Sequence, residues 1–112
     1  MKYVFPFLCL ATQGLADAPV VTAAEISPDG RVSVTLTHPD TGWDHYADGW
    51  RVEDADGTVL GLRVLAHPHV NEQPFTRSLS GVAVPDGAKS VFIRARCFVD
   101  GWPDEVFELE LK

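Results

Sequence analysis

Five Asp-Gly pairs, at Asp29-Gly30, Asp48-Gly49, Asp56-Gly57, Asp86-Gly87 and Asp100-Gly101, cut this chain into short segments. Glycine takes positive φ at no steric cost and aspartate bonds its own backbone, so each pair is a turn signal. Between the pairs, apolar residues recur with period two. Val32, Val34 and Leu36 alternate with Ser33, Thr35 and Thr37, and Val91, Ile93, Ala95 and Cys97 alternate with Phe92, Arg94, Arg96 and Phe98. Phe107, Leu109 and Leu111 alternate with Glu108 and Glu110. Such alternation turns one face of each strand to a core and the other to water. No window of adequate length carries helical periodicity. The pattern predicts strands over residues 20–26, 31–37, 50–54, 59–65, 75–83, 90–97 and 106–112. Seven short strands in about a hundred residues predict an all-β fold, an antiparallel sandwich of immunoglobulin-like or fibronectin-III-like type.

The first 16 residues, MKYVFPFLCLATQGLA, follow another logic. Lys2 supplies a basic start, Tyr3 to Ala11 a short apolar run, and Gly14 and Ala16 the small residues of a cleavage point. This is the pattern of a secretory signal peptide. The run falls short of the ~20 apolar residues that span a bilayer. Bulky Phe7 and Leu8 before Cys9 argue against a lipid anchor there. The chain therefore divides into a signal peptide, 1–16, and a single domain, 17–112, with a periplasmic or secreted destination. Removing 16 of 112 residues leaves 96, takes Lys2 and Cys9 away, and moves the formal net charge from −7 to −8. Cys97 is then the sole cysteine, with no intramolecular disulfide partner. With 9 basic against 16 acidic side chains and no basic run, nucleic acid is excluded as a partner, and no membrane contact is expected after signal cleavage.

Two connections, 38–49 and 66–74, are long, and a third, 98–105, is rich in Gly, Pro and Trp. Long loops on a rigid sandwich are where function concentrates. His38 continues the inward parity of Val32, Val34 and Leu36, and His45 follows seven residues later. Two imidazoles so spaced can converge on a metal, and equally can bond backbone carbonyls or water. His67-Pro68-His69 puts imidazoles at i and i+2, on one side of an extended backbone. That suits a Cu or Zn half-site, or a proline-stiffened loop with solvated histidines. Cys97 ends a strand with inward parity, as a core thiol or a metal-bound thiolate. Arg94 and Arg96 lie on the opposite parity and are poorly placed to stabilise a thiolate. Asp54-x-Asp56-Gly57 lacks the downstream glutamate of a calcium loop and reads as a hairpin turn. Ser78 and Ser80 sit in no nucleophile elbow, and no glycine-rich phosphate loop is present. Trp43, Tyr46, Trp50 and Trp102 gather near the long loops, as a ligand platform or as the lid of a sandwich core.

Three pieces of the sequence carry a resemblance in a fixed order. The first is Asp17-Ala18-Pro19-Val20-Val21. The second is His38-Pro39, then His45-Tyr46 and Trp50. The third is Cys97-Phe98-Val99-Asp100-Gly101-Trp102, followed by Pro103-Asp104-Glu105 and the last strand. Together they resemble the iron-binding domain of superoxide reductases, the desulfoferrodoxin and neelaredoxin family. The resemblance implies a seven-stranded immunoglobulin-like sandwich holding one mononuclear non-haem iron, Fe(II)/Fe(III). In that family four histidines and a cysteine thiolate hold the ion, and superoxide is reduced to peroxide by one electron at an open position. Carried over, His38, His45 and Cys97 keep the ligand types, while Asp17 and Asp100 stand where the first and last histidines would be. Ala16 replaces the family's helper lysine. Carboxylates in place of imidazoles favour Fe(III) and lower the potential, and an acidic protein repels superoxide.

Two readings follow. One is a superoxide-reductase-like oxidoreductase with His38, His45, Cys97, Asp100 and Asp17 as its metal set. The other is a non-enzymatic periplasmic binding or accessory module without metal, presenting loops 38–50 and 98–103 to an unknown periplasmic protein. The first requires both imidazoles and the sulfur at one point, with donor atoms roughly 3–4 Å apart.

Overall fold

The computed structural model describes residues 18–112, so the expected signal peptide, 1–16, and the candidate ligand Asp17 lie outside the described residues. The described chain is all-β. Seven strands run in order: β1 (Val20–Ile26), β2 (Val32–Thr37), β3 (Ala47–Glu53), β4 (Val59–Val64), β5 (Phe75–Leu79), β6 (Ser90–Cys97) and β7 (Phe107–Glu110). All pairings are antiparallel, in one sheet ordered β1-β2-β5 and a second ordered β4-β3-β6-β7.

The core lies between the sheets and is built mainly from β2, β3 and β6. Burial alternates without a break along β2 and β6. Val32, Val34, Leu36, Trp50, Val52, Val91 and Cys97 are completely buried, and Phe75 and Ile93 nearly so. Each aliphatic side chain removed from water in this way contributes about 1.5–3 kcal/mol. Strand β4 lies on an edge, which is why Val59, Leu62 and Val64 remain exposed.

Two differences from the predicted pattern have local causes. Strand β3 starts at Ala47, three residues early, because Asp48-Gly49 makes no turn. The register against β6 slips between Ala47 and Gly49, so the pair forms a β-bulge, with the Asp48 carboxylate held by Arg96 at 3.0 Å. Strand β5 stops at Leu79, short of residue 83. The chain leaves the sheet at Gly81, φ +77°, and Val82 donates its N–H to the Gly30 carbonyl at 3.0 Å while packing its side chain into the core. Gly30 has φ +86°, and a Cβ there would meet the Val82 carbonyl oxygen at 2.5 Å. Only glycine fits that approach. The other strand ends agree with expectation to within two residues.

The topology gathers three segments at one end of the sandwich: the end of β2, the start of β3 and the end of β6. Val20, where β1 begins, is opposite Thr37 at that same end, whereas Glu110 of β7 is opposite Ser90 at the far end. A polar clamp holds the 98–105 connection down. The buried Glu53 carboxylate accepts hydrogen bonds from Arg94 (Nε 2.8 Å, Nη2 3.1 Å) and from Arg51 Nε at 2.6 Å. Arg94 also donates to the carbonyls of Pro103 (2.6 Å) and Asp104 (2.8 Å). The Arg51 guanidinium lies 4.1 Å from the centre of the Trp102 ring, a cation–π contact.

The Arg94 hydrogen bond, with help from Arg51, holds the Glu53 carboxyl below its ordinary range. A depressed carboxyl contributes stability above its unfolded value and loses it as pH falls through the folded value. Glu53→Gln is therefore expected to cost about 3 kcal/mol near pH 7 by leaving two guanidiniums partly unpaired. In urea titrations the gap from the native protein should shrink as pH falls below 4.5, the ordinary glutamate value.

Candidate metal centre

His38 directly follows β2 and keeps its inward parity, with 2% exposure. Cys97 ends β6 and is completely buried. His45 lies between β2 and β3 and is half-buried, its ring centre 4.8 Å from that of His38. One donor atom from each of His38, His45 and Cys97 lies within 4.8 Å of the others. Donors around a tetrahedral ion stand about 3.3–3.8 Å apart, so closure onto a metal needs side-chain movement of about 1 Å.

Local structure fixes each donor. His45 is set by a tight turn in which its N–H donates to Gly42 O at 3.1 Å and its carbonyl accepts from Thr41 N at 2.9 Å. Its Nδ1 donates to Pro39 O at 3.2 Å, which makes Nε2 the basic nitrogen of the neutral ring. Cys97 and Gly101 exchange backbone hydrogen bonds, 3.3 and 2.8 Å, across a turn closed by Gly101 at φ +79°. Phe98 N donates to Tyr46 O at 2.8 Å, tying that turn to the His45 loop.

The His38 ring is held most firmly. Its Nδ1 is 2.6 Å from Asp40 Oδ1, and its backbone N–H donates to Gln73 Oε1 at 3.0 Å. Its Nε2 is buried with no hydrogen-bond partner among the described residues. Buried polar atoms are nearly always satisfied, and one left bare marks a place where something binds or strain is stored. Asp40 is itself buried and also accepts from Ala47 N at 3.0 Å and His69 N at 2.8 Å. Gln73 Nε2 donates to His69 O at 2.8 Å. Two imidazoles and a thiol suit iron, copper or zinc, and the bare Nε2 is the kind of atom a metal would satisfy.

The other candidates lie elsewhere. Asp100 is exposed at the tip of the turn between Cys97 and Gly101 and stands outside the three-donor group. The His67 and His69 rings meet at 4.6 Å, tilted by 35°, and His69 lies on Phe75 at 3.9 Å with the rings nearly parallel. Neither joins the three donors among the described residues. His69 is buried, not solvated, and both its ring nitrogens lack hydrogen-bond partners there. Arg94 and Arg96 point away to Glu53 and Asp48, as their parity requires. Asp54 Oδ1 accepts from Asp56 N and Thr58 N, both at 2.9 Å, so that segment is a hairpin turn. Sequence reasoning missed Asp40, Gln73 and the burial of His69; its one available signal was an acid two residues after His38.

Aromatic side chains rim the centre. Trp43 meets Tyr46 edge-on at 5.8 Å, and Tyr46 stacks on Phe98 at 5.3 Å. Trp43 is 67% exposed and Phe98 48%.

Comparison with known proteins places the chain beside one protein of Halomicrobium mukohataei described as "Putative lipoprotein". The two are 43% identical over 91 residues, covering 79% of this chain and 44% of that protein. The chain thus spans less than half the length of this relative. No family model matches the chain, and no solved structure matches it.

Burial, with the nearby Arg77 and His67, pushes the His69 imidazole below its ordinary value of 6.5. A buried neutral histidine resists a proton that the unfolded chain accepts, so its contribution to stability is lost as pH drops below 6.5. His69→Phe keeps the stack on Phe75 and removes the titrating group. Denaturant titrations across that range should show a shallower acid-side loss in the variant.

Proposed function

We propose that the chain is an exported metalloprotein that binds one transition-metal ion through His38, His45 and Cys97 and performs one-electron chemistry there. The observation that carries the reading is the meeting of these three donors at the sandwich end, with the buried Nε2 of His38 lacking any hydrogen-bond partner among the described residues. The resemblance to superoxide reductases supports iron as the metal and superoxide as the substrate. When bound, the ion would supply a redox centre whose thiolate ligand donates electron density. His45 is half-buried, so the centre is approached from its side of the loop. Two nitrogens and one sulfur suit copper as well as iron. A relative described as a lipoprotein supports a periplasmic or secreted location.

A second reading has its own observation. The ladder Trp43–Tyr46–Phe98, exposed at Trp43 and Phe98, is a surface that a periplasmic protein could cover, and a metal-free accessory module would use it that way.

Metal analysis of the purified protein after anaerobic reconstitution with iron, copper and zinc separates the two. The metal reading expects about one equivalent of one ion, lost in His38→Ala and in Cys97→Ser, because a site of this kind depends on each ligand. Less than about 0.1 equivalent of any of the three, a negligible occupancy of one site, refutes it and leaves the accessory module. Protein loaded with iron(II) should then reduce about one superoxide per iron to hydrogen peroxide, the ferrous ion giving the electron and becoming ferric while solvent gives the two protons, with loss of that activity in Cys97→Ser.

A further inference from the structure

We propose that Asp40 is a positioning residue of this centre: its buried carboxylate sets the tautomer of His38, and so decides which ring nitrogen is presented beside Cys97 and His45. The metal-binding half of this inference rests on the function proposed above; the tautomer half does not.

An ionised carboxylate only accepts hydrogen bonds. Asp40 has three neighbours at hydrogen-bonding distance: His38 Nδ1 at 2.6 Å and Ala47 N at 3.0 Å on Oδ1, and His69 N at 2.8 Å on Oδ2. The two backbone groups are donors by nature. The third contact is favourable only if Nδ1 carries the hydrogen. The opposite tautomer would set two acceptors 2.6 Å apart and leave a buried Nε2–H with no acceptor among the described residues. The neutral ring is therefore held with its lone pair on Nε2, the atom that has no hydrogen-bond partner among the described residues. A metal-binding histidine uses this arrangement, in which a carboxylate takes the distal N–H, fixes the ring and raises the basicity of the ligating nitrogen.

The same carboxylate also fixes the surroundings of the ring. Ala47, which donates to Oδ1, is the β3 residue registered opposite Cys97, so one side chain sets His38 and the strand position facing the thiol. His69, which donates to Oδ2, belongs to the 66–74 connection. Gln73 closes the circuit, accepting from His38 N and donating to His69 O. With both of its oxygens occupied inside the fold and no exposure of its side chain, Asp40 is oriented as a partner of His38 and not as a further metal ligand.

The first measurement needs no variant and no metal. Side-chain nitrogen-15 spectra of the metal-free native protein should show His38 as the Nδ1–H tautomer; an Nε2–H ring overturns the proposal. The second uses Asp40→Asn, whose amide NH2 can donate to Nδ1 and so favours the Nε2–H form. Cobalt(II) serves as the probe, read by its thiolate charge-transfer band. The variant is expected to show His38 as Nε2–H and to bind cobalt about 10–100-fold more weakly than the native protein, the usual cost of losing such a partner. Equal affinity with an unchanged band overturns the positioning role, because a purely architectural carboxylate would lower the melting temperature and leave the affinity of the folded protein unaltered. If Asp40→Asn does not fold, the native tautomer decides. If the native protein takes up no cobalt, the metal reading fails by itself, while the tautomer result still judges Asp40.

Discussion

One buried carboxylate organises the end of the sandwich that carries His38, His45 and Cys97. Asp40 accepts from a side chain just after β2, from the first N–H of β3 and from the backbone of the 66–74 connection. Removing a carboxylate from water is costly unless donors compensate, and three donors on two oxygens provide that compensation. Once it is in place, little freedom remains for its neighbours. The His38 ring is held at Nδ1, β3 starts where it faces Cys97, and the 66–74 connection lies against the 38–49 connection. This polar knot thus fixes one of the three converging donors, His38, while a tight turn sets His45 and the inward parity of β6 sets Cys97.

The strands were legible because their physics is local. Alternation along β2 and β6 needs only the sequence of each strand, and the inward parity of His38 and Cys97 followed from it. Asp-Gly pairs marked real turns where glycine takes positive φ, at Gly30, Gly57, Gly87 and Gly101. The pair at Asp48-Gly49 misled because its neighbours are long-range: Arg96 holds the aspartate, and the strand opposite absorbs the extra residue as a bulge. For the same reason Asp40 and His69 could not be read. Their burial depends on partners 29 residues apart, a separation to which no periodicity is sensitive. Val82 is the converse case, a core residue supplied by a segment that is not a strand at all.

The site combines a rigid interior with an open rim. His38 and Cys97 are sealed in, whereas His45 is half-buried and sits beside Tyr46, Trp43 and Phe98. The protein also carries a formal net charge of −7, which slows the approach of small anions from solution. The clamp of Glu53, Arg94 and Trp102 lies on the outer side of β3 and β6. It anchors the connection after Cys97 independently of Asp40, so the thiol is fixed from two directions.

The direction in which β1 enters the sandwich has a consequence for how the molecule would sit on a support. Val20 is registered opposite Thr37, next door to His38, while the last strand finishes at the opposite pole. A tether attached ahead of β1 would bring the donor-bearing pole down toward its support and shade it. Cargo fused after Lys112 would leave that pole looking outward.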